Sequence, residues 1–577
     1  MRLPPVPMPD LKPAAAEKAV GMGWKPSLRE HGPLLACVLP VLAGTRGYYL
    51  ADTQSYAADV ARSYTGAGGG LWEFGHLFWR PLGRVFVAAA WPLLGGVTGL
   101  SPMLLTAAFF ITVSLSCAVA TAVLWNSLAR QAAGSRALGF VVGFGLACAN
   151  AFLTYAHSGT PYIPGLLCIT LAVWLARRGG ARTGWGAAAL TALAALLWFP
   201  YVLAAPGVLF VVCWPAPVPP GGRKGPANGR LAVRFSLVLL LCLALGFGFG
   251  AAAQRIGSAA QFRQWVVDSG HGWSQNSRVL RLATGVPRTF FYMGDDGILY
   301  KRFLRKDPYA PVTAAGLIRA SLWRIALFGV FVLALLWSLR RQKTRWALFA
   351  LLAGALPVLT FAVLLFEPGS AERYLPAYPF LLLAAAIALR DGRGAPARAV
   401  VLVFVVVMCV NNVFSMSRWR IDRLDAASIG RALSLKAALR PGSMVATLSN
   451  QDDLGQMCNR RPFAAVNRPD PLPLYDMIEP ATLRVLTWRQ EFARKALATW
   501  EGGGDVWITR RVWSPAPRPA WKWAEGDDPR ISWRAIPPVF APLETDAATP
   551  GEDGFVRLTR SPHNAAELAR LAALPAP

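Results

Sequence analysis

The chain has 577 residues, 54% of them hydrophobic and only 16% charged, where a soluble domain carries about 25% charged residues. Its formal net charge is +28, but the Lys and Arg residues fall between apolar blocks rather than in a groove interleaved with aromatics, which excludes a nucleic-acid partner. The apolar blocks run to roughly 20 residues, the thickness of a bilayer core, so the class is an α-helical polytopic membrane protein.

Residues 1–32 form a polar tail containing Arg2, Lys12, Lys18, Lys25 and Arg29. It is expected to stay in the cytoplasm, because Lys and Arg are retained on that side. It does not read as a cleavable signal peptide, since the polar stretch is long and no convincing small-residue cleavage site follows the first apolar block.

A transmembrane region is expected over 33–416. Its first span, Pro33–Leu50, delivers Asp52 to the outer face, with Arg46 snorkelling at the interface. A first outer loop over 47–100 then carries Asp52, Asp59, Glu73, His76 and Arg80. Residues 82–100, interrupted by Arg84, Pro92 and paired glycines, read as a juxtamembrane helix on the outer face. Further spans fall at 102–126, 137–155, 161–176, 184–199, 201–215, 231–252, 319–339, 346–366, 374–389 and 399–415. That makes about eleven spans. The short inner loops then hold Arg130 and Arg136, Arg177, Arg178 and Arg182, and the cluster Arg340–Arg345. Counting 82–100 as a span would place all of these outside, against the positive-inside rule.

An outer insert at 253–318 contains Asp268, His271, Trp273, Arg278, Arg288, the turn Asp295-Asp296-Gly297 and the basic run Lys301–Lys306. An ordinary surface turn and a contact with anionic lipid are the simplest readings of the last two. Residues 417–577 read as an extracytoplasmic C-terminal domain of small α/β type. Helical spacing spans Ser428–Leu439, short strands fall at Ser443–Leu448 and Asp505–Thr509, and a Pro-rich, loop-heavy stretch follows Arg511. Seven of the eight Cys lie in apolar blocks, so no disulfide framework is implied, and no metal-ligand cluster is evident.

Charged groups at a membrane edge must be solvated, paired or used. Asp52 would be a general base or an orienting partner for an acceptor amine or hydroxyl; the plain alternative is a solvated helix cap. Arg80 would bind a phosphate through its guanidinium fork, or anchor to head groups. His76 would shuttle a proton, or serve as an ordinary hydrogen-bonded interface residue. The stretch Ala371-Glu372-Arg373-Tyr374-Leu375-Pro376-Ala377-Tyr378-Pro379 joins an outer loop to a span. There Arg373 would neutralise phosphate, with Glu372 beside it and Tyr374 and Tyr378 lining an apolar lipid groove. The alternative is an Arg–Glu helix cap with belt tyrosines.

Taken together these stretches resemble the polytopic glycosyltransferases of the GT-C fold, the group that includes protein mannosyltransferases and aminoarabinose transferases. The resemblance covers residues 33–415 in layout. It is carried by Asp52 after the first span, by Arg80-Pro81-Leu82, where the family usually has two prolines, and by Glu372-Arg373-Tyr374 with Tyr378-Pro379. It implies an outer-facing site, a polyprenyl-phosphate sugar donor and transfer with loss of polyprenyl phosphate. No cofactor is implied, and a divalent cation is not indicated. Many relatives carry a second acid in the next outer loop; here Tyr155–Tyr162 has none, and His157 or Tyr162 occupies the space. Asp59 or Glu73 would be the substitutes for it. Substrate contacts are therefore expected at Glu73, His76, Arg80, His157, Glu372, Arg373, Tyr374 and Tyr378. The setting is the inner membrane of the cell, with membrane lipids as partners and the oligomeric state left open. Two other readings remain: a flippase for lipid-linked saccharide, which mid-depth charges would favour, and a non-catalytic envelope assembly protein.

Overall fold

The first apolar helix ends at Gly44, and the helix that carries Asp52 begins at Ala51. In the computed structural model the elements of this half are α1 (Leu28–Gly44), α2 (Ala51–Tyr64), α3 (Trp79–Thr98), α4 (Pro102–Ala133), α5 (Arg136–Ala147), α6 (Asn150–Ala156), α7 (Tyr162–Arg178), α8 (Ala181–Leu197), α9 (Ala205–Cys213), α10 (Gly229–Ala253), α11 (Ala259–Asp268) and α12 (Val279–Phe290). Helices Arg345–Leu364, Tyr378–Asp391 and Gly394–Ser415 complete the membrane region, together with a long helix over Ala314–Leu339. The structure describes residues 28–47, 51–66, 70–214, 229–269, 279–293, 313–340, 344–364, 369–391, 394–448, 454, 457–458, 461, 464–467, 472–477, 484–513, 536–548 and 554–575. The Asp295-Asp296-Gly297 turn, the Lys301–Lys306 run, His271, Trp273 and Arg278 lie outside these residues.

Each expected span overlaps a helix, although the first ends at Gly44 and 137–155 is divided between α5 and α6, and the helices are of two kinds. Among the described residues five are long and apolar enough to cross a membrane: Pro102–Ala133, Gly229–Ala253, Ala314–Leu339, Arg345–Leu364 and Ala395–Ser415. A sixth is the pair α5–α6, bent by 63°. The others are short: α1, α7 and α8 have 17 residues each, and Tyr378–Asp391 has 14. At 1.5 Å per residue, 17 residues rise only about 26 Å. Thr45 and Trp198 follow the ends of α1 and α8, Tyr162 and Tyr378 open α7 and the helix Tyr378–Asp391, and all four are buried.

Helix α4 is the packing centre, in contact with α1, α2, α3, α5, α6, α7 and Tyr378–Asp391. Ser101 caps it by accepting a hydrogen bond from the Leu104 amide, and Gly134 ends it in the left-handed region. The expected juxtamembrane helix is present as α3, starting at Trp79. One face is pinned to α4 by Trp79 stacked on Phe110 at 4.7 Å and Phe86 on Phe109 at 4.0 Å. The opposite face exposes Val85, Leu93 and Val97, as expected of a helix lying against lipid.

The last membrane helix passes directly into Arg418–Ala438 of the C-terminal domain. This domain has a five-stranded sheet in the order β2-β1-β3-β5-β4, from β1 (Met444–Thr447), β2 (Leu474–Asp476), β3 (Val506–Thr509), β4 (Thr545–Ala548) and β5 (Phe555–Leu558). The pairs β1–β2 and β1–β3 are parallel, while β3–β5 and β5–β4 are antiparallel. Helices Arg484–Glu501 and Pro562–Ala572 pack together on it. After Arg511 the described residues hold two strands, β4 and β5, and two helices, Pro537–Phe540 and Pro562–Ala572, while residues 514–535 lie outside them.

Candidate active site

Helix α2 is built to present one polar face. Asp52, Tyr56 and Asp59 are spaced i, i+4 and i+7, which aligns them along one side of a helix. Asp52 lies in its first turn, where the helix dipole favours a carboxylate. Across from this face stands Arg80, in the first turn of α3. Its Nη2 is 2.7 Å from Oε2 of Glu73, its Nε is 3.2 Å from Oδ2 of Asp59, and its Nη1 donates to the Gly70 carbonyl at 2.9 Å. The guanidinium also lies 4.8 Å from the ring centre of Tyr56. His76 completes the group, with Nδ1 3.5 Å from Oε2 of Glu73 and Nε2 3.3 Å from the Tyr56 hydroxyl. Arg80, Glu73 and His76 are nearly buried. Charges at that depth persist only when paired, and here two carboxylates hold one guanidinium.

The loop His157–Pro161 is sewn to its neighbours through its backbone. Thr53 donates to the Ser158 carbonyl, Trp79 Nε1 to the Gly159 carbonyl at 3.2 Å, and Ser114 to the Thr160 carbonyl at 3.0 Å. Gly159 has φ +70°, and a Cβ there would come 3.0 Å from the Ile111 amide nitrogen and from Thr53 Cγ2, so glycine is required. The loop sets Tyr162 at the start of α7. The Tyr162 hydroxyl donates to Oδ2 of Asp52 at 3.1 Å. Its ring lies 6.0 Å from that of His76, 4.9 Å from Tyr155 and 4.7 Å from Trp198.

The third piece is the 3-10 turn Ala371–Ala377, which contains Pro376 and precedes the helix at Tyr378. Its carbonyls are held from α12: Arg288 Nη1 donates to Gly369 at 2.6 Å, and Thr289 Oγ1 to Ala371 at 2.9 Å. Glu372 accepts a hydrogen bond from the Tyr155 hydroxyl. Arg373 Nε is 3.6 Å from Oε1 of Glu372, and its guanidinium lies 5.5 Å from the Trp198 ring centre.

These three loops meet around Tyr162. A continuous set of contacts leads from Asp52 through Tyr162 and Trp198 to Arg373, and from Tyr162 through Tyr155 to Glu372. Arg80, Glu73 and His76 adjoin it through Tyr56 and the His76 ring. Three of the expected residues take other places. Tyr374 is buried against Val358 and Ala362. Tyr378 is 1% exposed, donates to the Thr289 carbonyl at 2.7 Å and stacks on Phe290 at 5.6 Å. Both face the protein interior rather than a lipid groove, because the proline-bearing turn rotates them inward. His157 faces the junction of α1 and α2, with Nε2 3.2 Å from Thr45 Oγ1. Burial, with the Arg418 and Arg46 guanidinium groups nearby, pushes its pKa down to about 4.

Of the two residues that compete for the place beside Asp52 in the sequence, Tyr162 holds it. Tyr56, Tyr155 and Trp198 also belong to the cluster. Tyr56 had a signal in its i+4 spacing from Asp52; Tyr155 and Trp198 look like membrane-belt aromatics in the sequence and are brought in only by packing. Among the described residues no group of three or more His, Cys, Asp or Glu side chains is placed to hold a metal ion. The cluster offers a carboxylate held by a phenol on one side and a guanidinium on an indole on the other. Such a pair can take a proton from a nucleophile and balance negative charge on a leaving group.

No protein-family model matches the chain, and no curated protein does. Among the solved structures similar to it in layout are two of one protein. The crystal structure of ArnT from Cupriavidus metallidurans bound to undecaprenyl phosphate has a TM-score of 0.49 and 12% identity, covering 95% of this chain and 100% of that one. The apo state of the same protein has a TM-score of 0.48 and 12% identity, covering 95% and 99%. Likenesses this distant decide nothing about chemistry, which for this chain depends on its own side chains.

Proposed function

We propose that the chain is an integral membrane glycosyltransferase that moves a sugar from a polyprenyl-phosphate carrier to a glycan, lipid or protein acceptor on the outer face of the cell's inner membrane. The acceptor O–H or N–H attacks the anomeric carbon, and its proton passes to Asp52. The bond from that carbon to the carrier's phosphate oxygen breaks, and the electron pair leaves with the phosphate. Arg373, seated on Trp198, balances the charge that grows there in the transition state. Arg80, already engaged by Asp59 and Glu73, keeps the Asp52 helix in register with the rest of the site. The scheme uses no cofactor. The basic inner loops support an orientation with the N-terminal tail inside and the C-terminal domain outside.

The observation that carries this reading is the contact series Asp52–Tyr162–Trp198–Arg373, which joins residues far apart in the chain into one cluster. The test uses the full chain in proteoliposomes with a radiolabelled polyprenyl-phosphate sugar. Transfer to an acceptor should be seen with the wild type. Asp52→Asn should lower turnover by about 10²–10⁴-fold, the usual worth of a general base, while leaving thermal stability nearly unchanged. Near wild-type turnover in Asp52→Asn would remove this residue from the chemistry, and donor movement without a new glycosidic bond would indicate a flippase.

A further inference from the structure

The two carboxylates of the cluster are held in the same way. Tyr162 donates to Asp52 at 3.1 Å, and Tyr155 donates to Glu372. The two tyrosines lie on either side of the His157–Pro161 loop, and their rings meet edge to face at 4.9 Å and 86°. Both are 5% exposed. We propose that Tyr155 and Tyr162 are a coupled pair of positioning residues: Tyr162 fixes the proton-accepting carboxylate, Tyr155 fixes the carboxylate beside Arg373, and their ring contact holds the acceptor side and the phosphate side at one separation. This rests on the transferase reading above.

A carboxylate in the first turn of a helix has several open rotamers, and a charged hydrogen bond from a buried phenol selects one. Glu372 has the same need, because Arg373 leans on its other oxygen at 3.6 Å. A displacement of even an ångström between nucleophile and leaving group would slow transfer strongly, since the reacting atoms must be held near contact. The ring pair resists such a shift. It is itself anchored: the Tyr201 hydroxyl donates to the Tyr162 carbonyl, and Trp198 packs on the Tyr162 ring at 4.7 Å. Each phenol can therefore lose its hydroxyl without losing the ring packing.

The experiment compares Tyr162→Phe, Tyr155→Phe and the double variant in the full-length reconstituted protein. Three quantities are read: transfer kinetics, thermal stability, and the infrared carboxylate band identified by its loss in Asp52→Asn. Tyr162→Phe should lower kcat ~10-fold with the donor KM within about twofold, and should displace the Asp52 band, as removal of a hydrogen bond to a charged group does. Tyr155→Phe should raise the donor KM by ~10-fold. The double variant should lose less than the product of the two, because releasing either carboxylate already loosens the one separation that the ring pair sets for both. Unchanged stability in both singles separates positioning from simple packing. Wild-type kinetics and an unmoved band in Tyr162→Phe would overturn the proposal, as would losses that multiply independently. Absence of transfer by the wild type, with the band still displaced, would instead overturn the transferase reading, and with it the pair's role in transfer.

Discussion

Nη2 of Arg80 lies 2.7 Å from Oε2 of Glu73, and the same guanidinium reaches Asp59 on α2 through its Nε at 3.2 Å. One cation therefore joins the helix that carries Asp52, the loop after it and the start of α3. Breaking a buried ion pair from one side costs about 3–5 kcal/mol, because the partner charge stays behind without compensation. Arg80→Ala should lower the thermal midpoint in detergent and reduce transfer together, and Arg80→Lys should restore part of both. Loss of transfer at an unchanged midpoint would show that Arg80 acts on substrate rather than on the loop.

Arg373 is expected to act on the donor. Its place on Trp198, 5.5 Å from the ring centre, orients the guanidinium plane. Arg373→Ala should weaken binding of polyprenyl phosphate, read by competition against labelled donor, by about 10–100-fold, the range for a lost charge-assisted contact. Arg373→Lys should recover only part of this, since a lysine lacks the planar fork. Trp198→Leu should produce a smaller loss in the same direction. Donor binding unaffected in Arg373→Ala would move the phosphate site elsewhere.

The C-terminal domain is tied to the first loop by ions as well as by its linker. Arg46 Nε is 2.8 Å from Oδ1 of Asp422, Arg461 pairs with the same Asp422 and, at 3.1 Å, with Asp425, and the Arg46 amide donates to the Met416 carbonyl at 2.8 Å. The Asp425 side chain is 1% exposed and that of Asp422 is half-buried. Asp425→Asn should therefore loosen the 418–438 helix within the domain more than Asp422→Asn, which removes the tie to Arg46. Limited proteolysis at the 418–438 helix reads this directly, and equal cleavage rates in the two variants would contradict it.

His157 gives a pH dependence with a definite sign. Its pKa falls from 6.5 to about 4, chiefly through burial and then through Arg418 and Arg46. Between these values the unfolded chain binds a proton that the folded protein does not, so stability rises with pH across that window. The contribution is complete above about pH 6.5 and is lost as the pH falls toward 4. Replacing the ring with His157→Gln should flatten the thermal midpoint against pH over this range relative to the wild type. Parallel curves for the two proteins would show that His157 titrates as an ordinary exposed histidine.

Much of this was legible in the residues alone. Apolar block length and the placement of Lys and Arg fix the spans and their expected orientation, because a bilayer imposes a length and a charge rule on any helix that crosses it. Asp52 and Arg373 stand out for a related reason: a charge at the membrane edge is costly unless it is used or paired. The short helices of the bundle were not foreseen as such, since a span that ends early differs from a full one only in where its loop begins.

The sequence by itself determined the kind of protein, the helices and the charged loops that any site must draw upon. Only the tertiary structure decided which charges belong together. It gave Arg80 to Asp59 and Glu73, turned Tyr374 and Tyr378 inward, sent His157 to Thr45 and set Tyr162 beside Asp52. The physical reason is that pairing across 110 residues depends on how helix ends pack, on the turn at Gly159 and on the 3-10 geometry around Pro376, none of which has a periodic signature in the chain.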